Sequence, residues 1–139
     1  MRLSWPQTAM NLAFDIAKYR SEDPYVKVGA CIIKKNKDIV LGYNGAPANM
    51  QLDWSNRDER RKWVFHAEAN ALTRILPGEA ILLAVTHIPC IDCLKDIKMK
   101  EIDTVYYSIR SEQYNPQMVE EIASIYKINL IKLDYVNIK

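Results

Sequence analysis

The run Ala80-Ile81-Leu82-Leu83-Ala84-Val85 constrains this chain most. It has the length of a strand and contains no polar residue, so both of its faces need apolar cover. A strand of that kind belongs in the middle of a sheet flanked by helices. The neighbouring segments supply them. Ala9, Leu12, Ala13, Ile16 and Ala17 recur at helical spacing between Ser4 and Tyr19, with Ser4 or Trp5 near the cap and Pro6 in the first turn. Ser21-Glu22-Asp23-Pro24 ends that helix, because proline disfavours a helical residue before it. Val28–Lys34 and Ile39–Tyr43 read as strands joined by the polar hairpin Lys35-Asn36-Lys37-Asp38. Arg57–Trp63 reads as a helical turn inside the long loop that starts at Asn44. Helices are expected over His66–Leu76, Cys90–Lys100 and Pro116–Tyr126, and strands over Thr104–Tyr107 and Ile128–Leu133. A closing strand, helix, strand succession implies a parallel crossover. The expected fold is a three-layer α/β/α arrangement formed by residues 1–139 as one domain.

Composition bounds the partners. Nineteen basic and 17 acidic residues leave a net charge of +2, without the basic excess of a duplex-binding surface, so no nucleic-acid partner is expected. A small anion needs only one or two local cations. No apolar run approaches the roughly 20 residues of a membrane helix, and the start Met1-Arg2-Leu3-Ser4-Trp5-Pro6 has no apolar signal core. A cytoplasmic protein is expected. Cys31, Cys90 and Cys93 are an odd number of cysteines, which argues against a disulfide framework. Cys31 lies in the apolar run Val28-Gly29-Ala30-Cys31-Ile32-Ile33 and reads as a buried small hydrophobe.

Two short strings carry the chemistry, His66-Ala67-Glu68 and Pro89-Cys90-Ile91-Asp92-Cys93. Each falls where a strand or loop hands over to a helix. Cys90 and Cys93 are three apart and share a helix face. A helix start favours negative charge and so favours thiolates. His66, Cys90 and Cys93 make one nitrogen and two sulfur ligands, which suit Zn²⁺ with a fourth position open. Water in an open position of catalytic zinc has its pKa lowered from about 15.7 to near 7. Glu68 is then placed to take and return protons. The order H-x-E followed by P-C-x-x-C is the general pattern of zinc-dependent nucleobase deaminases. Two rivals stand beside this reading. His87 could complete a Cys₂His₂ structural site with His66, Cys90 and Cys93. A redox role for the C-x-x-C pair would leave His66 and Glu68 without work.

These strings, with Arg20-Ser21-Glu22-Asp23-Pro24, Val28-Gly29-Ala30-Cys31-Ile32-Ile33, Gly42-Tyr43-Asn44-Gly45-Ala46-Pro47 and His66-Ala67-Glu68-Ala69-Asn70-Ala71, make the chain resemble the cytidine deaminase superfamily. The G-Y-N-G-x-P and H-A-E-x-N-A strings together point to its deoxycytidylate branch. The match runs from about Leu12 to Tyr107. The resemblance implies a five-stranded mixed sheet with its last two strands parallel. It implies Zn²⁺-dependent hydrolysis of dCMP to dUMP and ammonia, which supplies thymidylate synthesis. Free cytidine, a 5-substituted dCMP and a silent zinc-binding subunit are the rival readings. The resemblance further implies an oligomer, often a hexamer. It also implies dCTP, with Mg²⁺, and dTTP as effectors near Gly42, Tyr43, Asn44 and Gly45.

Within that resemblance the Ala67 N–H holds the base carbonyl, and Asn44 contacts substrate at the pocket floor. As a residue before Gly45, Asn44 reads equally well as a turn former. Arg110, after the Tyr106-Tyr107 strand, and Arg20 are the phosphate candidates, each with a solvated surface role as its rival. The run Arg57-Asp58-Glu59-Arg60-Arg61-Lys62 reads as a mixed-charge helix face rather than a phosphate clamp. Trp54, Trp63 and Tyr114 read as packing residues. The segment between Gly45 and His66 lacks further Cys or His, so no second zinc is expected there. His87, just before Ile88-Pro89, is expected to line the pocket or bond a carbonyl, and to influence substrate preference.

Overall fold

The computed structural model describes residues 2–110 and 115–138. Tyr114 lies outside the described residues. A five-stranded sheet has the order β2-β1-β3-β4-β5. Its strands are β1 (Gly29–Lys34), β2 (Ile39–Tyr43), β3 (Ala80–His87), β4 (Thr104–Ile109) and β5 (Asn129–Lys132). β1 runs antiparallel to β2 and β3, whereas β3, β4 and β5 are mutually parallel. The mixed sheet and the parallel final pair follow the expected pattern. The helices are α1 (Trp5–Arg20), α2 (Arg57–Trp63), α3 (Ala67–Leu72), α4 (Ile91–Met99) and α5 (Pro116–Ile125). None is long and apolar enough to cross a membrane among the described residues.

The two-residue period of the strands divides the core between two layers. Ala30 and Ile32 of β1, with Leu83 and Val85 of β3, face the side covered by α3, α4 and α5. Cys31 and Ile33, with Leu82 and Ala84, face α1 through Ala9, Met10 and Ala13. Each fully buried aliphatic side chain contributes about 1.5–3 kcal/mol to the fold. Cys31 is wholly buried, as expected. Ser4 caps α1 by accepting the Gln7 N–H at 3.3 Å. Gly29 lets α1 cross closely, since a Cβ there would sit 1.9 Å from the Ala13 carbonyl oxygen.

Three boundaries move by two residues or more from the sequence expectation. β4 runs past Tyr107 to Ile109. β3 extends beyond Val85 through Thr86 and His87, because His87 still pairs with Ile109 of β4. α3 stops at Leu72 rather than Leu76. The Asn70 carbonyl, which a continuing helix would offer to the Arg74 N–H, accepts the Thr73 hydroxyl at 2.8 Å instead. The Arg74 and Ile75 N–H groups then bond three residues back, to Ala71 and Leu72, and the tightened turn buries Ile75.

Gly42 of β2 sets the seat of α3. A Cβ at Gly42 would lie 2.3 Å from the Ala67 carbonyl oxygen and 2.7 Å from the Ala71 nitrogen, both backbone atoms that cannot rotate away. Gly42→Ala is therefore expected to cost about 1–3 kcal/mol as overpacking. A lowered urea midpoint with an unchanged m-value checks it. An unchanged midpoint would show that α3 shifts freely.

Candidate active site

Two helix starts converge on one side of the sheet. The chain ahead of α3 is clamped by a bridge between Gly45 and Phe65, with N–H···O distances of 3.2 and 2.8 Å. His66 follows as the N-cap of α3, and Ala67 and Glu68 open the helix. Across from it, Cys90 is the N-cap of α4 and accepts the Cys93 N–H on its sulfur at 3.4 Å. His66 Nδ1 lies 3.2 Å from Cys93 Sγ and 3.7 Å from Cys90 Sγ. The three ligand atoms all lie within 4.8 Å of one another.

The electrostatics follow from this crowding. Cys90 is pushed down to about 4, chiefly by a hydrogen bond from the Cys93 thiol and further by His66. Cys93 is pushed up by the neighbouring Cys90 and by burial. The hydrogen bond to Cys90 raises His66. Glu68 is buried, and loss of solvent holds its carboxyl above the usual range. Burial lowers His87.

A nitrogen and two sulfurs at this spacing fit Zn²⁺, and no fourth protein ligand joins them among the described residues. His87 lines the same cavity but stands outside the ligand group, with Nδ1 against the Thr86 hydroxyl at 2.8 Å. The Cys₂His₂ alternative therefore lacks its fourth member.

The ligands open onto a cavity of about 170 Å³ whose wall includes His66, Ala67, Glu68, His87, Cys90 and Asn44. Asn44 is buried and acts on the loop before β1. Its Nδ2 donates to the Val26 carbonyl at 2.8 Å, and its Oδ1 accepts the Val28 N–H at 3.0 Å and the Ser21 hydroxyl. One Nδ2 hydrogen is left. Asn44 thus lines the cavity, and its side chain braces the distant Ser21–Val28 segment rather than forming a local turn before Gly45. Gly42 is buried under α3, and a Cβ at Gly45 would meet the Glu22 carboxylate at 2.3 Å, so both glycines are filled by this protein's own atoms. Tyr43, between them, lies under the Arg20 guanidinium at 5.9 Å.

The arginines are distributed differently from the sequence expectation. Arg20 and Arg110 are exposed and do not line the cavity, and Arg110 pairs with Glu120 at 2.6 Å. The arginines on the cavity are Arg57, Arg60 and Arg61 of α2. Their i, i+3, i+4 spacing was visible as one helix face, but the side on which α2 docks was not. Trp63 is 41% exposed rather than packed, and Trp54 is half-buried.

Thiol chemistry distinguishes the cysteines. Burial pushes Cys31 up to about 12, whereas Cys90 lies low and borders the cavity. In metal-stripped protein, iodoacetamide is expected to modify Cys90 first, and its rate should hold between about pH 5 and 8, because the thiolate is already formed. Cys31 should react only on unfolding. Peptide mass spectrometry checks this; equal labelling of Cys31 and Cys90 in the native protein would contradict it.

The mixed sheet and the nitrogen-and-two-sulfur set at two helix starts define a zinc-site protein of the cytidine deaminase-like fold. The profile described as the cytidine and deoxycytidylate deaminase zinc-binding region matches residues 3–109. The deoxycytidylate deaminase of Pongo abelii is 34% identical over 124 residues, which cover 81% of this chain and 68% of that protein. ComE operon protein 2 of Bacillus subtilis (strain 168) is 32% identical over 130 residues, covering 86% and 68%. The crystal structure of dCMP deaminase from the cyanophage S-TIM5, in complex with dCMP and dUMP, superposes with a TM-score of 0.74 at 26% identity, covering 96% of this chain and 99% of that one. The chain belongs to the cytidine and deoxycytidylate deaminase family.

Proposed function

We propose that this chain is a zinc-dependent deaminase that hydrolyses dCMP to dUMP and ammonia, with residues 1–139 acting as one domain. The observation that carries the reading is the buried carboxylate of Glu68 sharing one cavity wall with the His66, Cys90 and Cys93 ligand group. His66, Cys90 and Cys93 hold the zinc. When bound, Zn²⁺ supplies Lewis-acid chemistry that makes water nucleophilic at neutral pH.

The protein's own residues do the rest. Glu68 takes a proton from the attacking water on its carboxylate and delivers it to N3 of the cytosine ring; it then takes the proton of the new C4 hydroxyl and passes it to the amino group, which leaves as ammonia while the C4 carbonyl forms. Its raised proton affinity suits a group that must both accept and return a proton near neutrality. The Ala67 N–H, in the first turn of α3 where intrahelical partners are lacking, donates to the base carbonyl. Asn44 offers its remaining Nδ2 hydrogen to the sugar side of the substrate while its other bonds keep the Ser21–Val28 loop in place. The resemblance of Gly42-Tyr43-Asn44-Gly45 to the deoxycytidylate branch extends the proposal to an oligomer with dCTP, with Mg²⁺, and dTTP as effectors.

Ammonia release from zinc-loaded protein with dCMP, CMP and deoxycytidine tests the proposal, each with and without dCTP and Mg²⁺. Turnover led by dCMP is the expected result. Turnover of deoxycytidine alone would move the assignment to a nucleoside deaminase, and no turnover with zinc bound would move it to a silent zinc-binding subunit.

A further inference from the structure

The cavity wall changes character between its buried and its exposed residues. Glu68 and Cys90 are buried, whereas Arg57 and Arg61 line the same cavity and are open to solvent. Arg57, Arg60 and Arg61 fall on one face of α2, and the acidic pair Asp58 and Glu59 does not line the cavity. The three arginines are not equivalent. Arg60 is half-buried, donates to the Trp54 carbonyl at 3.2 Å and lies over the Tyr25 ring at 4.7 Å, which ties α2 to the loop before β1. Among the described residues neither Arg57 nor Arg61 has an ion-pair partner. Asp23, the cavity's other carboxylate, is buried and turns its Oδ1 to the N–H groups of Tyr25 and Val26, at 2.8 and 3.1 Å.

We infer that Arg57 and Arg61 form the subsite for the 5′-phosphate of the nucleotide, with Arg60 as the residue that positions their helix. The inference rests on the assignment of this cavity to a cytosine nucleotide. A base seated against Glu68 leaves its anionic end toward solvent, where two guanidinium groups with no protein carboxylate to satisfy them can bond it with charge assistance. The subsite sets the preference for nucleotide over nucleoside.

The test compares wild type, the double variant Arg57→Ala/Arg61→Ala, and Arg20→Ala and Arg110→Ala. KM for dCMP is expected to rise about 10- to 100-fold in the double variant, as loss of charge-assisted hydrogen bonds implies, with kcat little changed. Deoxycytidine turnover should be unaltered, and the Arg20 and Arg110 variants should behave as wild type. Calorimetry with dUMP and deoxyuridine gives a readout independent of turnover: wild type should favour dUMP, and the double variant should bind the two alike. An unchanged dUMP preference in the double variant, or its loss in Arg20→Ala or Arg110→Ala, overturns the inference. Arg57- and Arg61-dependent dUMP binding without deamination would uphold the subsite and sink the enzymatic assignment instead. For Arg60→Ala, a positioning role predicts a raised KM for dCMP that Arg60→Lys restores in part.

Discussion

Replacing Glu68 by glutamine is expected to lower kcat for dCMP by about 10²- to 10⁴-fold, the range of a lost general acid–base group, while zinc content and melting temperature are kept. The amide has nearly the shape of the carboxylate and retains hydrogen-bonding capacity, but it cannot carry a proton between water, ring and leaving amine. Folding should not suffer. Glu68 is 4% exposed, and burial disfavours its charged form, so a neutral amide removes a cost rather than adding one. Steady-state ammonia release, metal analysis and thermal unfolding on the same preparation separate the outcomes. Activity within a few-fold of wild type would remove Glu68 from the mechanism. Loss of zinc would show that it supports the metal site instead.

The second large effect belongs to the ligands. Cys93→Ala is expected to abolish stoichiometric zinc and bring activity to background. His66 Nδ1 lies 3.2 Å from the Cys93 sulfur, so removing that sulfur leaves only an imidazole and one thiol to hold the ion. The stability readout is direct. A ligand that binds only the folded state at 100 times its Kd adds about 2.7 kcal/mol. Added zinc should therefore raise the melting temperature of metal-stripped wild type and leave that of Cys93→Ala unmoved. Retained zinc and turnover in the variant would show that the ion sits elsewhere.

The parts of this molecule that a sequence exposes are those fixed by local chemistry. The apolar run at Ala80–Val85 needed cover on both faces, and the sheet supplies it as β3, between β1 and β4. His66 and Cys90 were legible as helix-start residues, because a loop-to-helix change in periodicity brackets each one, and both are N-caps. Features decided by packing were not legible. The end of α3 depends on which donor takes the Asn70 carbonyl, a competition between a hydroxyl and a backbone N–H that periodicity does not rank. Gly42 carries no local sign that α3 rests on it. The mixed charges of Arg57–Lys62 looked like a solvated face, and only the docking of α2 separates the arginines on the cavity from the acids off it.

In the proposed reaction the chain deaminates dCMP, with Glu68 carrying the protons and His66, Cys90 and Cys93 as the residues that would hold the zinc. Quantifying dUMP and ammonia from one incubation of zinc-loaded protein with dCMP, with Glu68→Gln as the blank, tests it most directly. Equal amounts of dUMP and ammonia, accumulating over many turnovers and lost in the blank, are the predicted result. Recovery of unchanged dCMP from protein that holds its zinc would contradict it.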